Sequence, residues 1–273
     1  MTLRTALAQG AELLRKADAL VPRLTAEVLL CHAMQKERSW LYAHSEDELR
    51  EVEWIHYGRY LDQRMRGKPT QYITKKQEFY GREFRVSPAV LIPRPETEHL
   101  IEAVVARRPE GLAIDVGCGS GAIAVTLALE CPRRCLAIDI SADALEVARG
   151  NARRLHAAVE FLHCDLLSAV EDEAAAVVAS NPPYVAESER ETLQREVRDW
   201  EPPLALFAGE AGLAMYRRLI PEALRVLQPG GLLAMELGVG LAAPVAAMLT
   251  GWNNLELRND LQGIPRVIVC EKP

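Results

Sequence analysis

The segment Asn181-Pro182-Pro183-Tyr184 is the feature that most restricts how this chain folds. It follows an apolar run at residues 174–180, which predicts a buried strand. Two consecutive prolines lack backbone N–H groups and hold φ at about −65°, so the chain must leave the sheet here with several carbonyls unpaired. Asn181 adds a side-chain carbonyl, and Tyr184 adds a flat ring. The segment therefore predicts an acceptor-rich ledge that suits a planar –NH2 group.

A glycine loop lies upstream, between an apolar run at residues 112–116 and a helical pattern. The loop consists of Gly117, Cys118, Gly119, Ser120 and Gly121. Glycines at such a turn let the backbone approach a ligand, and the helix N-terminus presents free N–H groups. Asp139 ends the next apolar run, 22 positions after Gly117, which is the spacing of a carboxylate that binds ribose hydroxyls. The loop alone fits either a nicotinamide cofactor or S-adenosylmethionine, and the ledge favours the second.

Chain length and charge limit the function classes. With 273 residues, 49% of them hydrophobic, the chain can bury one large core or two modest ones, and we expect two domains. The net charge of −6 argues against nonspecific binding of long nucleic acid. Residues 1–84 carry 14 basic and 12 acidic side chains, whereas the remainder carries 18 and 26. We therefore expect no stable nucleic-acid binding.

Cysteine usage and hydropathy give no sign of export or of a metal. The six cysteines are scattered through apolar patterns, where free thiols behave as small hydrophobes. No second pair or histidine cluster completes a zinc site around Cys131 and Cys135, so we predict no metal. No apolar run approaches the roughly 18 residues that span a bilayer, and no leader pattern opens the chain. These features favour a cytoplasmic protein that does not associate with membranes.

The first part of the chain reads as a small helical domain. Apolar residues recur at helical spacing over residues 3–34, and Val21-Pro22 divides them into two helices. Ser45 and Glu48 have the form of a capping box, which predicts a third helix from there to about Met65. Residues 79–86 alternate around a glycine turn, as in a hairpin. We expect a helical domain at 1–72, a β-hairpin linker at 73–90 and a catalytic domain at 91–273.

Strands and helices alternate after a helix at about residues 96–107, which predicts an α/β fold. Expected strands are 112–116, 134–139, 159–163, 176–180 and 232–236, and expected helices are 120–130, 141–155 and 211–227. Such alternation is typical of a parallel sheet covered on both faces. Only a short loop separates the last two runs, 255–257 and 266–269, so they should pair antiparallel at the sheet edge. The pattern predicts a Rossmann-like, seven-stranded, mostly parallel sheet.

The loop, the ribose acid and the ledge together resemble the class I S-adenosylmethionine-dependent methyltransferases that modify exocyclic or amide nitrogens. Further segments are similar to those of the glutamine-N5 methyltransferases that act on peptide chain release factors: residues 78–84 (EFYGREF), 91–98 (LIPRPETE), 40–44 (WLYAH), 201–206 (EPPLAL) and 259–261 (NDL). The resemblance covers nearly the whole chain. It implies methylation of the glutamine in the Gly-Gly-Gln motif of class-one release factors, in support of translation termination.

The resemblance also implies roles for particular residues. Gly117 through Gly121 would line the methionine and ribose part of the cofactor, Asp139 would hold the ribose, and Asp165 with Leu166 would border the adenine. Relatives often carry tryptophan at the position of Leu166 and glutamine near Leu241. The aromatic packing on the adenine and the role of the second neighbourhood are therefore open.

Substrate-binding residues follow from the ledge. Asn181 would contact both ligands, and its side-chain oxygen, with the Pro182 carbonyl, would accept the two N–H bonds of the glutamine amide. Pro183 and Tyr184 would pack against that flat amide, although Tyr184 also fits a core position. Phe79 would form another wall of the pocket or, equally, an ordinary core residue of the hairpin.

For Arg94 and Glu96 we favour an ion pair that organises the junction between the domains over direct contact with the substrate. The helical domain would dock the protein substrate, since a single glutamine side chain cannot provide selectivity.

Three other functions remain open from the sequence. A nucleic-acid adenine or guanine N-methyltransferase would present its –NH2 group to the same ledge, but it must also unstack its target base. A glutamine methyltransferase of a large-subunit ribosomal protein would share the ledge and the cofactor site. A noncatalytic cofactor-binding module is disfavoured by the intact acceptors Asn181 and Pro182.

Overall fold

The computed structural model describes residues 1–107, 110–131, 133–209 and 211–273. These divide into two units, one comprising Met1–Lys76 with Gln194–Trp200, the other Gln77–Leu193 with Glu201–Pro273. The α-helices are α1 (Leu3–Lys16), α2 (Pro22–Met34), α3 (Arg38–Ala43), α4 (Glu51–Met65), α5 (Thr70–Thr74), α6 (Glu98–Arg107), α7 (Ala122–Glu130), α8 (Ala142–Arg154), α9 (Arg195–Trp200), α10 (Pro203–Leu206), α11 (Ala214–Val226) and α12 (Ala242–Met248). The strands are β1 (Lys76–Phe79), β2 (Arg82–Arg85), β3 (Ala113–Val116), β4 (Cys135–Asp139), β5 (Val159–His163), β6 (Ala175–Ser180), β7 (Leu227–Glu236), β8 (Asn253–Asn259) and β9 (Pro265–Glu271).

The first unit is a helical bundle built on α1, α2 and α4. The Thr2 hydroxyl caps α1 by accepting a hydrogen bond from the Thr5 N–H at 3.2 Å. Gly10 lets α1 approach α4, because a Cβ at this position would lie only 1.9 Å from the Tyr57 hydroxyl oxygen. Tyr57 itself is fully buried in the core of this unit. The two helices predicted within residues 3–34 are confirmed.

The predicted capping box at Ser45 and Glu48 is wrong. The Ser45 carbonyl accepts the backbone N–H of Arg4, and Glu48 forms an isolated bridge with Thr2, so this segment pairs with the start of α1. The long helix begins at Glu51 instead, where the Glu53 carboxylate accepts the backbone N–H of Arg50 at 3.1 Å. The sequence pattern predicted a carboxylate that accepts the backbone N–H three residues before it, at Ser45 and Glu48. This contact occurs five residues later, at Arg50 and Glu53. A short helix that was not predicted, α3, precedes it.

The hairpin prediction is confirmed by β1 and β2, which form their own two-stranded sheet. Phe79 and Phe84 meet edge to face, with ring centroids 5.9 Å apart, and both are buried. At the end of β2, the Asn151 side chain of α8 accepts the backbone N–H of Arg85 at 2.8 Å and donates to the Arg85 carbonyl at 2.9 Å. The hairpin is thereby anchored to the helix that lies beside the glycine loop.

The second sheet has the strand order β5-β4-β3-β6-β7-β9-β8. Neighbours from β5 through β7 are parallel, whereas β9 is antiparallel to both β7 and β8. The central strands β3 and β6 are buried along their whole length, as expected for a sheet covered on both faces. This confirms the predicted seven-stranded α/β fold, including the antiparallel pairing of the last two strands.

Two parts of this sheet region differ from the prediction. Strand β7 begins at Leu227 rather than Leu232, because Gly230 and Gly231 exchange backbone hydrogen bonds with Lys272 instead of ending the sheet pairing. Helix α12 was not predicted, although it contributes the buried Val245 to the core. Its short, alanine-rich sequence carries little helical periodicity.

Candidate active site

A cavity of about 240 Å³ opens at the carboxyl ends of β3, β4 and β6. This edge is where ligands bind in open α/β sheets. Its lining brings together most of the residues that the sequence predicted: Gly117, Cys118, Gly119, Ser120, Asp139, Asp165, Leu166, Asn181 and Pro183. Residues 89–93 and 202–207 supply further parts of the wall.

The glycine loop turns with left-handed backbone at Gly119 and Gly121, whose φ angles are 52° and 79°. A Cβ at Gly119 would meet nothing within 4 Å, so the ligand side of the loop is open there. Gly121 serves packing instead, because a Cβ would lie 3.1 Å from the Ala148 Cβ. The first glycines therefore face the cavity, whereas the last lets α7 approach α8.

The Asp139 carboxylate is held beside this loop by two hydrogen bonds. One carboxylate oxygen accepts the Gly119 N–H at 2.8 Å, and the other accepts the Ser141 N–H at 2.8 Å. Each carboxylate oxygen retains further acceptor capacity. The predicted ribose acid thus lies at the cavity in a fixed orientation, with lone pairs left to accept two hydroxyl hydrogens.

Asp115 is a buried acid at the start of the loop that the sequence analysis did not single out. It is 1% exposed, and its Oδ2 accepts the Ala124 N–H at 2.9 Å. Its Oδ1 has no hydrogen-bond partner within residues 1–107, 110–131, 133–209 and 211–273. Burial raises the pKa of Asp115 to about 7. A buried polar atom without a partner is costly, so this carboxyl group destabilises the fold when it is charged.

The opposite side of the cavity is mainly apolar. Leu166 is 8% exposed and lies among the lining residues with Ile140 and Met215. Asp165 is held by Arg218, whose Nη2 lies 2.7 Å from a carboxylate oxygen. The leucine thus offers apolar contact on this side of the cavity.

The ledge follows β6 as predicted. The Ser180 hydroxyl donates to the Val116 carbonyl at 2.7 Å, which fixes the end of β6 against the start of the glycine loop. Asn181 and Pro183 line the cavity, whereas Pro182 is buried. The Tyr184 ring packs against Gly238, where a Cβ would lie 2.8 Å from the Tyr184 Cδ2. Leu241 packs beside the same glycine.

Behind the ledge lies a hydrogen-bond chain that we call the Glu236 network: Asn181, Thr97, Glu236 and Tyr184. Asn181 Nδ2 donates to the Thr97 hydroxyl at 3.2 Å, and that hydroxyl donates to Glu236 Oε2 at 2.5 Å. The Tyr184 hydroxyl donates to Glu236 Oε1 at 3.2 Å. Tyr184 is thus tied to the network through its hydroxyl, a contact that its sequence position did not reveal.

Glu236 is an acid in an almost closed environment, with 2% of its surface exposed. Burial raises its pKa to about 7, although the hydrogen bonds from Thr97 and Tyr184 favour the charged form. Burial and the neighbouring Glu236 raise the pKa of the Tyr184 hydroxyl. The carboxylate titrates near neutrality, whereas the phenol stays protonated there.

Phe79 and Arg94 do not make the contacts that were predicted for them at the site. Phe79 lies in the hydrophobic core against Phe84 and is 1% exposed, which matches the alternative interpretation of an ordinary hairpin residue. The Arg94–Glu96 ion pair is wrong, because Arg94 pairs with Glu201 at 2.5 Å. Glu201 also accepts the Ile92 N–H at 3.2 Å, so it fixes the segment that precedes α6.

Sequence reasoning missed three side chains that position the site: Thr97, Glu236 and Asn151. Asn151 donates to the Ser120 carbonyl at 2.9 Å and so connects the glycine loop to β2. Glu236 carried a usable signal, since an acid directly after the apolar run of a central strand calls for buried partners. Thr97 and Asn151 carried none, because their partners are far away in the sequence.

Among the residues that the structure describes, no group of three or more His, Cys, Asp or Glu side chains could hold a metal ion. No helix in the described ranges is long and apolar enough to cross a membrane.

The fold is similar to that of several solved methyltransferases. The catalytic domain of human Mettl16 in complex with a MAT2A hairpin has a TM-score of 0.57 at 16% identity, covering 77% of this chain and 81% of that one. The Thermus thermophilus 16S rRNA N2 G1207 methyltransferase, in complex with AdoMet and guanosine, has a TM-score of 0.55 at 19% identity and covers 72% and 50%. These likenesses concern the fold. The class of protein follows from the sequence: residues 95–198 match the methyltransferase small domain, and with the curated relatives described next this makes the chain a methyltransferase that uses S-adenosylmethionine.

Comparison of sequences is more specific. Residues 5–74 match the PrmC N-terminal domain, and residues 95–198 match the methyltransferase small domain. A release factor glutamine methyltransferase of Koribacter versatilis is 48% identical over 278 aligned positions, covering 100% of this chain and 99% of its own. The enzyme of the same name from Nitratidesulfovibrio vulgaris is 41% identical and covers 99% and 95%. The chain belongs to the release factor glutamine methyltransferase family.

Proposed function

We propose that this protein methylates the N5 amide nitrogen of the glutamine in the Gly-Gly-Gln motif of class-one peptide chain release factors. Membership of the family supports the substrate class. The observation that carries the chemistry is the orientation of Asn181 at the cavity. Its Nδ2 is engaged by Thr97, and none of the described residues donates to its Oδ1. The amide oxygen is therefore left for a substrate N–H group.

The side chains around the cavity fit S-adenosylmethionine. Asp139 has acceptor capacity for the ribose hydroxyls, and Leu166 offers apolar contact for the adenine. When bound, this cofactor supplies a methyl group activated by a sulfonium. Gly119 leaves open space for close approach of a ligand to the loop.

An amide nitrogen is a poor nucleophile, so the protein must prepare it. Asn181 Oδ1 and the Pro182 carbonyl would accept the two amide N–H bonds, which directs the nitrogen towards the methyl group. The same acceptors stabilise the positive charge that grows on nitrogen as the N–C bond forms and the C–S bond breaks. After methyl transfer the nitrogen gives up its extra proton to a carbonyl acceptor, or to water once the product is exposed to solvent. Fixed orientation of the two reactants can contribute about 7–11 kcal/mol to lowering the barrier.

Pro183 and Tyr184 would bound the flat amide and exclude water. No protein base is required, because the nitrogen loses its proton after methyl transfer. Phe79 lies in the hairpin core, so any effect of this residue on the amide would pass through the packing of the hairpin.

The two units would have different roles in the reaction. We assign docking of the release factor to the helical domain at 1–72, a linking role to the hairpin at 73–90 and catalysis to 91–273. The clustering of Gln194–Trp200 with the helical unit adds a segment that the sequence boundaries did not include. Because release factors act on ribosomes, we place the enzyme in the cytoplasm, and its acidic character supports a protein rather than a nucleic acid as substrate.

Transfer of radiolabelled methyl to a purified class-one release factor tests the proposal. The control substrate is the same factor with Asn in place of Gln in the Gly-Gly-Gln motif. Label that appears only on the glutamine form supports the proposal and its site. Absence of label on both forms, with S-adenosylmethionine binding intact, would refute the substrate, and the large-subunit ribosomal protein and nucleic acid would be assayed next.

A further inference from the structure

The donors and acceptors of the Glu236 network permit only one arrangement when Glu236 is charged. An ionised carboxylate accepts hydrogen bonds and donates none, so both hydroxyls beside it must donate to it. Thr97 has a single hydroxyl hydrogen, and its oxygen lies 2.5 Å from Glu236 Oε2. That hydrogen is therefore committed to the carboxylate. Towards Asn181, at 3.2 Å, the Thr97 oxygen can only accept.

This restriction determines which end of the Asn181 amide faces the cavity. The side chain carries an NH2 group at one end and an oxygen at the other, and rotation by about 180° exchanges them at little intrinsic cost. Because Thr97 can only accept, the NH2 group must point to Thr97. The oxygen then points away from the network, where no described protein group donates to it.

We propose that Thr97 and Glu236 are positioning residues that hold the Asn181 amide with its oxygen towards the glutamine substrate. The proposal rests on the proposed function, because a substrate –NH2 group needs an acceptor at this place. With the opposite rotation, two NH2 groups would face each other and neither could accept.

Protonation of Glu236 would remove the restriction. A neutral Glu236 can donate to the Thr97 oxygen, which frees the Thr97 hydrogen to donate to the oxygen of a rotated Asn181. The charged and titratable groups that act on Glu236 are Glu96, which raises its pKa, Arg266, which lowers it, and the Tyr184 hydroxyl. Arg266 is itself paired with Asp260 at 2.9 Å. Burial outweighs these groups and places the titration at about pH 7.

The first test compares three threonine variants. Thr97→Val keeps the shape but removes the hydroxyl, and Thr97→Ser keeps the hydroxyl. The control is Thr126→Val, since Thr126 is buried like Thr97 and its hydroxyl has no partner among the described residues. We expect kcat to fall by roughly ten- to a hundredfold in Thr97→Val, with the Kd for S-adenosylmethionine within about threefold of wild type. Thr97→Ser and Thr126→Val should stay within about threefold in kcat.

Equal kcat in Thr97→Val and wild type would overturn the proposal. So would equal losses in Thr97→Val and Thr97→Ser, because the effect would then be one of packing. If the wild-type enzyme fails to methylate a release factor, the proposed function is refuted, but the proposed orientation of Asn181 is not. The orientation of Asn181 is then still measurable without any substrate.

That second readout is NMR of the full chain with 15N-labelled asparagine and a 13C-labelled threonine methyl group. At about pH 8.5, above the Glu236 titration, we expect a strong nuclear Overhauser effect between the Asn181 NH2 group and the Thr97 methyl. At about pH 5.5, where Glu236 becomes protonated, the amide is free to rotate and this effect should weaken. No effect at pH 8.5 would overturn the proposal.

Discussion

At the scale of single residues, Asn181 is the side chain on which the chemistry depends most directly. Asn181→Ala removes one of the two acceptors proposed for the glutamine amide. Loss of one transition-state hydrogen bond of this kind costs about 100- to 1000-fold in kcat. We expect a fall of that order in the methyl-transfer assay.

The Asn181→Ala protein should remain folded, because the side chain makes only the hydrogen bond to Thr97 among the described contacts. Circular dichroism and calorimetric binding of S-adenosylmethionine serve as controls. A kcat close to wild type would refute the acceptor role.

Asp115 gives a prediction about stability and pH. Burial raises the pKa of Asp115 in the folded protein to about 7, above its ordinary value of 3.8, so folding favours the protonated acid. The contribution of Asp115 to the free energy of unfolding is fully present below about pH 4 and is lost as pH rises towards 7. Asp115→Asn stays uncharged and keeps an acceptor for the Ala124 N–H. Without cofactor, the variant should therefore gain stability over wild type as pH rises from 5 to 8, by an amount on the order of a few kcal/mol.

Urea unfolding at both pH values measures this gain. Asp143→Asn, at an exposed carboxylate in the first turn of α8, provides the control and should show no comparable rise between pH 5 and 8. A constant difference between Asp115→Asn and wild type across this range would contradict the prediction.

At the scale of elements, the glycine loop combines two functions that substitution should separate. Gly119→Ala and Gly121→Ala both place a side chain in left-handed backbone, at a cost of about 1 kcal/mol. Only Gly121→Ala also brings a Cβ against Ala148, at 3.1 Å, between α7 and α8. We expect Gly121→Ala to lose more stability in urea unfolding. Gly119→Ala should instead weaken cofactor binding, because its Cβ enters the open side of the loop.

Equal destabilisation by the two substitutions would show that backbone strain alone governs the loop. An unchanged cofactor affinity in Gly119→Ala, measured by calorimetry, would remove Gly119 from the binding surface.

Elements were predictable where the pattern is local. The strands at the cavity carry runs of apolar residues between turn signals, and the structure confirms them to within one or two residues, apart from the start of β7. The beginning of α4 was not predictable, because residues 45–48 satisfy a capping pattern but are drawn into pairing with the start of α1. Tertiary pairing there overrides a local signal.

At the scale of the whole molecule, the two units should contribute separately to the reaction. Deletion of residues 1–70 should leave S-adenosylmethionine binding nearly unchanged, since the described cavity lining lies within 89–218. Methylation of an intact release factor at low concentration should fall strongly, because contacts remote from the reacting group would be lost.

A short peptide that contains Gly-Gly-Gln is the matched substrate for this deletion. Full-length and truncated enzymes should methylate this peptide at similar rates, because it is too short to depend on contacts with the helical unit. Equal rates on the intact factor would refute docking by the helical unit. Because Gln194–Trp200 clusters with that unit, unfolding of the truncated protein must be followed in parallel.

The sequence by itself determined the sheet, the glycine loop, Asp139 and the ledge at Asn181. These features are encoded by residues near one another in the chain: glycines after a strand, an acid at the end of the next strand, and prolines that prevent further sheet pairing. The local pattern directly restricts the backbone at each of them.

Only the tertiary structure decided how the ledge is oriented. Thr97 and Glu236 are 139 positions apart, and Thr97 and Asn181 are 84 apart. Their hydrogen bonds exist because the sheet brings the ends of β6 and β7 side by side next to the start of α6. The raised pKa of Glu236 is likewise a property of burial, which no residue carries in its own sequence neighbourhood.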